Sequence, residues 1–261
     1  MDLCYISALS IFSASVIGSC TSYIVTNELA FTLMKLFSSG VILSLGIVHI
    51  IPEVHVDEGY PFGSLCVLAG LVGLAIFEDL SHTFTQIYSE KKEPLCEEGD
   101  IEDHHHSCII NNDLKRNVNP YIFEFACVFH SVLIGISLGV QEDAEMKALL
   151  IALVFHQFLE GASIGWICND IGKAKKVVMI LVYSTSAPVG IIIGKNVYVE
   201  NVMWQICLLG ISGGMLIYIS LIQIFIEEMN NSTKENLGRK IYMYISFLLG
   251  IACMSVIAMW I

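Results

Sequence analysis

The chain has 261 residues, of which 55% are hydrophobic and only 15% charged, a balance far more apolar than that of a water-soluble domain of this length. That excludes a soluble globular enzyme or binding module and reads as a polytopic membrane protein. The net charge of −12 repels anions such as nucleic acid and attracts cations.

Eight apolar runs are long enough to cross about 30 Å of hydrocarbon as helix: 3–25, 30–51, 62–84, 120–140, 146–168, 177–194, 202–226 and 241–261. Span one starts almost at Met1, has no basic n-region and outruns a signal h-region without a small-residue cleavage pattern, so it is predicted to stay as a mature helix. Span two ends in His49, Pro52 and Glu53, with the proline loosening the last turn. With His55 and Asp57 beyond it, this is either an entrance for cations or a helix end with ordinary interfacial polar residues. Span three carries Glu78, Asp79 and His82 toward its far end, either as an exit or as snorkelling polar termini.

The segment 89–119 holds Cys96, Glu97, Glu98, Asp100, Glu102, Asp103 and His104-His105-His106. Its density of acid and histidine predicts a solvated, disordered loop. Span four contains Glu124 and, six residues on, His130, a rise of roughly 9 Å. Span five contains His156 and Glu160. In span six the run Ser184-Thr185-Ser186-Ala187-Pro188 is a place for the helix to break, since freed carbonyls are tolerated where protein or water satisfies them. Gln205, Ser212 and Gln223 on span seven read as polar stitches between helices.

With the amino terminus outside, ten of the thirteen Lys and Arg residues fall in inner loops (Lys91, Lys92, Lys115, Arg116, Lys173, Lys175, Lys176, Lys234, Arg239, Lys240), and only Lys147 and Lys195 in outer ones. This asymmetry predicts both termini outside or in a lumen. It puts the sequon Asn231-Ser232-Thr233 on the cytosolic side, unglycosylated. The nine cysteines are scattered with no CxxC, a pattern of buried apolar thiols and not of a disulfide framework.

His156 and Glu160 are one helical turn apart, about 6 Å along the axis, so an imidazole and a carboxylate converge on one face. His130, at similar depth in the preceding span, supplies a third ligand if spans four and five pack antiparallel. Gly135/Gly139 and Gly161/Gly165 form small-xxx-small ridges, which predicts a close approach of these two spans. One intramembrane histidine reads as a hydrogen-bonded core residue; two with a glutamate at one depth ask for a cation, because a charge at the bilayer centre costs roughly 2.5–3.5 kcal/mol on insertion scales.

His130-Ser131-Val132-Leu133-Ile134-Gly135-Ile136-Ser137-Leu138-Gly139 and His156-Gln157-Phe158-Leu159-Glu160-Gly161 resemble the fourth and fifth membrane helices of the ZIP (Zrt-, Irt-like protein) family of divalent metal transporters. Phe37-Ser38-Ser39-Gly40-Val41-Ile42-Leu43 leading to His49-Ile50-Ile51-Pro52-Glu53 resembles its second. The likeness spans the whole chain. It implies an all-α membrane protein of eight transmembrane helices in a 3+2+3 arrangement, one transporter domain over 1–261, with the metal site between helices 4 and 5. By resemblance His130, His156 and Glu160 are the metal ligands, and Ser131 or Gln157 adds an oxygen. The carboxylates that hold a second metal in some members correspond to Ile134 and Ala187 here, which implies one principal site. The family's alternating access would shift spans one, four, five and six against two, three, seven and eight.

The expected activity is transport of Zn²⁺, or of Fe²⁺, Mn²⁺ or Cd²⁺, into the cytosol, with no enzymatic reaction and no cofactor beyond the transported ion. The path would enter at His49 and Glu53 and leave at Glu124. Glu78, Asp79 and His82 would lie toward the exit, and His104, His105 and His106 in a cytosolic loop dispensable for transport. Mixed imidazole and carboxylate ligands suit borderline dications. The expected partners are the metal ion, the bilayer of the plasma membrane or an organelle and, as a homodimer, a second copy; no nucleic acid is expected. Two other classes stay open at this stage, an intramembrane zinc hydrolase and a membrane metal sensor, although the first usually carries HExxH, which this chain lacks.

Overall fold

Hydrocarbon offers no water to unpaired backbone groups, so apolar runs of this length satisfy their own N–H and C=O groups as helices. The computed structural model describes residues 3–24, 27–54, 61–90, 103–140, 143–196, 202–232 and 236–259, and among them it is helical with no strand. The helices are α1 (Leu3–Cys20), α2 (Glu28–Ser44), α3 (Phe62–Glu90), α4 (Asp103–Val140), α5 (Asp143–Ile167), α6 (Lys173–Asn196), α7 (Val202–Tyr218) and α8 (Leu237–Ala258). α2 continues through π-helical Leu45–Ile50 to Ile51–Glu53, and α7 through π-helical Ile219–Ile226 to Glu227–Asn231. The starts of α2 and α8 are set by Asn27 and Asn236, whose side chains accept from the backbone N–H of Ala30 and Arg239, as N-cap residues do. Seven of these elements are long and apolar enough to cross a membrane, and α5 is the eighth, packed among them. Leu9, Ile17, Leu68, Ile76 and Leu248 point outward, a surface suited to lipid and not to water. The protein is a multi-pass helical membrane protein.

Packing divides the helices into two groups. α4 lies along α6 and α1 along α5 and α6; α2 lies along α8 and α3 along α7. Glycines set these contacts. A Cβ on Gly135 or Gly139 would collide with the carbonyls of Ala187 or Ile191, and on Gly190 or Gly194 with those of Val132 or Ile136, so α4 and α6 touch backbone to backbone. Gly161 and Gly165 meet the carbonyls of Ser15 and Ser19 on α1 in the same way. The small-residue ridges of spans four and five therefore do not face each other, as the sequence suggested. Each packs against a different neighbour, because a ridge says that some backbone approaches, not whose. Gly40 and Gly250 do the same for α2 and α8, Gly70 and Gly214 for α3 and α7. The groups meet chiefly where α2 crosses α5 and α7 crosses α4.

Two further expectations are corrected. The segment expected to be a disordered loop over 89–119 is helical from Asp103 onward, continuous with span four through Pro120. Once a helix is nucleated each added residue gains a hydrogen bond, and Ile110 and Leu114 stand at helical spacing within it. Residues 91–102 lie outside the described residues. Span six does not break at Pro188: α6 is continuous. Thr185 Oγ donates to the carbonyls of Leu181 and Val182, and Ser186 Oγ to that of Tyr183, so the hydroxyls bond back along the helix instead of opening it.

Candidate metal site

The seam between the two groups carries the polar core. His130 from α4, His156 and Glu160 from α5 are all buried, at 0%, 2% and 1% exposure. One potential ligand atom from each lies within 4.8 Å of the others, near enough for small side-chain shifts to bring all three onto one point. His156 Nε2 is 3.4 Å from Glu160 Oε2, the consequence of their one-turn spacing, and the two imidazole rings stand edge to face with centroids 5.7 Å apart. His130 Nε2, both ring nitrogens of His156 and Glu160 Oε1 have no hydrogen-bond partner. Orphaned polar atoms in such a place cost several kcal/mol each unless something satisfies them. The three side chains form a group that could hold a metal ion.

The surroundings aim these groups. His130 Nδ1 is 2.7 Å from Ser212 Oγ on α7, a bond across the seam that holds the ring. Tyr183 on α6 donates its hydroxyl to Glu160 Oε2 at 3.0 Å. Gln157 Nε2 donates to Ser131 Oγ at 3.2 Å, so these two residues bond each other directly beside the cluster. The Cys127 thiol, one turn before His130, lies beside Glu160. Sequence reasoning missed Tyr183 and Cys127 and took Ser212 for a stitch. The i, i+3 relation of Cys127 to His130 was a usable signal, whereas Tyr183 and Ser212 reach the site only through helix crossings whose register no pattern in the chain reveals.

The chain matches the family model described as ZIP Zinc transporter over residues 1–258. The chain belongs to the ZIP family. Among its relatives, the Fe(2+) transport protein 2 of Arabidopsis thaliana is 28% identical, covering 100% of this chain and 87% of that protein. Zinc transporter 3 of the same plant is 29% identical over 88% and 74%, and its Fe(2+) transport protein 1 is 30% identical over 88% and 75%. This ZIP protein is thus a divalent metal transporter and not an enzyme, with the ion as substrate.

The remaining candidates of the sequence reading fall at several depths. His49 sits in the π-helical turn of the α2 extension, close enough to His156 and His130 to interact with both electrostatically. A π-turn inserts an extra residue and re-aims side chains, and His49 lies within this one. Glu53 ends that extension, while His55 and Asp57 lie outside the described residues. Glu124 is half-buried on the wall of a cavity of about 560 Å³ between α4 and α6, beside Val128 and Met179. Glu78 Oε2 accepts from Gln223 Nε2 at 2.6 Å, and Oε1 is 3.7 Å from His82 Nε2. Asp79, by contrast, is exposed, so the Glu78, Asp79 and His82 cluster splits between two faces of α3. His104, His105 and His106 lie on the helical extension of α4, away from the span.

Proposed function

We propose that this ZIP protein carries Zn²⁺ into the cytosol by alternating access, and accepts Fe²⁺, Mn²⁺ and Cd²⁺ in the same site. The observation that carries the reading is the buried trio His130, His156 and Glu160, with donor atoms within 4.8 Å and lone pairs left without partners. Two imidazoles and one carboxylate suit borderline dications, and relatives named as zinc and Fe(2+) transporters support the same ion class. Ser131 or Gln157 supplies an additional oxygen once their mutual hydrogen bond opens.

The ion enters past Glu53 and His49 and departs past Glu124, with both termini outside the cytosol, in the plasma membrane or an organelle membrane. The division of the packing into α1, α4, α5, α6 and α2, α3, α7, α8 supports a rocking of one group on the other. Because ligands are contributed within the first group, and Ser212 and His49 within the second, such a motion would loosen the support of His130 as the ion leaves. The test is uptake of radiolabelled zinc into vesicles containing the wild type, His130→Ala, His156→Ala or Glu160→Ala. The expected result is saturable uptake by the wild type, lost in all three variants at equal membrane levels. Uptake retained by the variants, or absent from the wild type, overturns the reading.

A further inference from the structure

α3 begins against the end of the α2 extension: a Cβ on Gly63 would collide with the carbonyl of Val54, the residue after Glu53. From there α3 and α7 run side by side in the same direction. A Cβ on Gly210 would lie 2.8 Å from the Cys66 Cβ and 3.1 Å from the Gly63 carbonyl oxygen, and one on Gly214 would strike the Val67 carbonyl a turn further along. Positions on the two helices therefore match in rising order, with the backbones nearly touching. Cys207 stands three residues before Gly210, so it shares that face of α7 one turn nearer the mouth. The Cys66 side chain leans toward the N-terminus of its own helix, as helical side chains do, and hence toward the level of Cys207. The two thiols meet there in a side-chain hydrogen bond. Cys66 is buried and Cys207 half-buried, whereas Cys127 and Cys168 deeper in the bundle are both wholly inaccessible.

Resting on the orientation proposed above, which puts this mouth outside the cytosol, we infer that Cys66 and Cys207 are a modification site: a dithiol that closes to a disulfide and staples α3 to α7 at the entry end. Disulfides form and persist on the oxidising side of a membrane, and the co-reactant is a small-molecule disulfide such as glutathione disulfide. The Cys207 thiolate, the more accessible of the two, attacks one sulfur of that disulfide and releases a first glutathione thiolate. The Cys66 thiolate then attacks the Cys207 sulfur of the mixed disulfide and releases the second. Two protein thiols are oxidised to one disulfide, the co-reactant is reduced to two thiols, and the two protein thiol protons pass to them. Both helices belong to the same packing group, so the staple stiffens that group without tying it to the other, and transport continues in the oxidised protein.

In the experiment the full-length protein, purified in detergent, is treated with glutathione disulfide, its remaining thiols are alkylated and its digest is read by mass spectrometry. The expected result is a peptide pair linked through Cys66 and Cys207, absent after reduction and absent from Cys66→Ser and Cys207→Ser. The oxidised wild type should melt about 5 °C or more above the reduced form, as a bridge closing a long loop does, and zinc uptake into vesicles should proceed at matching rates in the two forms. The wild type itself carries each readout, so a variant that fails to fold removes only a control. Absence of the linked pair, or linkage of Cys207 to a different cysteine, overturns the site; uptake arrested by oxidation overturns its placement within one helix group. A pair that forms in the purified protein but is missing from cells alkylated before lysis overturns the orientation instead, and absence of uptake in both forms overturns the transport reading.

Discussion

Replacing Ser212 by alanine removes a single hydroxyl on a helix that contributes no ligand, and the effect on metal binding follows from geometry. In the proposed site His130 Nε2, which has no other partner, is a ligand of the ion. The ring proton must then reside on Nδ1, where Ser212 Oγ, 2.7 Å away and fully buried, accepts it. Without the hydroxyl the Nδ1 proton is left unsatisfied, at a cost of about 1–3 kcal/mol. Outer partners of metal-bound histidines typically account for about 10- to 100-fold in metal affinity, a range of roughly 1.4–2.8 kcal/mol, so the two estimates agree. Zinc titration of the purified protein, with the uptake KM measured alongside, should show affinity weakened by about 10- to 100-fold with protein levels unchanged. An affinity within twofold of the wild type would refute the claim that the bond across the seam orients His130.

Other consequences follow from the same structure. Tyr183→Phe removes the hydroxyl that holds Glu160 Oε2; zinc affinity should fall by about tenfold while the thermal midpoint in detergent stays close to that of the wild type. Gly190→Ala drives a methyl into the Val132 carbonyl and should cost roughly 1–3 kcal/mol by overpacking, visible as a lowered thermal midpoint, whereas Gly73→Ala, with nothing within 4 Å, should be silent. Acid should weaken zinc binding, because imidazole must be neutral to ligate, and zinc binding in weak buffer should release protons; binding that strengthens as pH falls would contradict a histidine site. A glycan attached at Asn231 when the protein is made in eukaryotic cells would reverse the proposed orientation; the expected mass is that of the bare chain.

The spans and the clustering of the three candidate ligands were legible because their signals are local. Hydropathy marks a span, and a one-turn spacing puts His156 and Glu160 on one face whatever surrounds them. What depended on the partner's register was not legible. Gly135 and Gly161 announced close packing, yet the helices they touch, α6 and α1, follow from three-dimensional arrangement alone. The same holds for Tyr183 and Ser212, polar residues on distant spans that reach the cluster through crossings. Pro188 was read as a break because proline removes a donor, but the neighbouring Thr185 and Ser186 hydroxyls bond along the helix and α6 stays whole. The extension of α4 back to Asp103 was hidden by acid and histidine content, although Ile110 and Leu114 carried a faint helical spacing.

The central claim is that one dication is held jointly by His130, His156 and Glu160. X-ray absorption spectroscopy of the zinc-loaded protein tests it most directly. The account predicts two imidazoles at roughly 2.0–2.1 Å, falling to one in His130→Ala and to one in His156→Ala. An imidazole count that neither substitution lowers would contradict it.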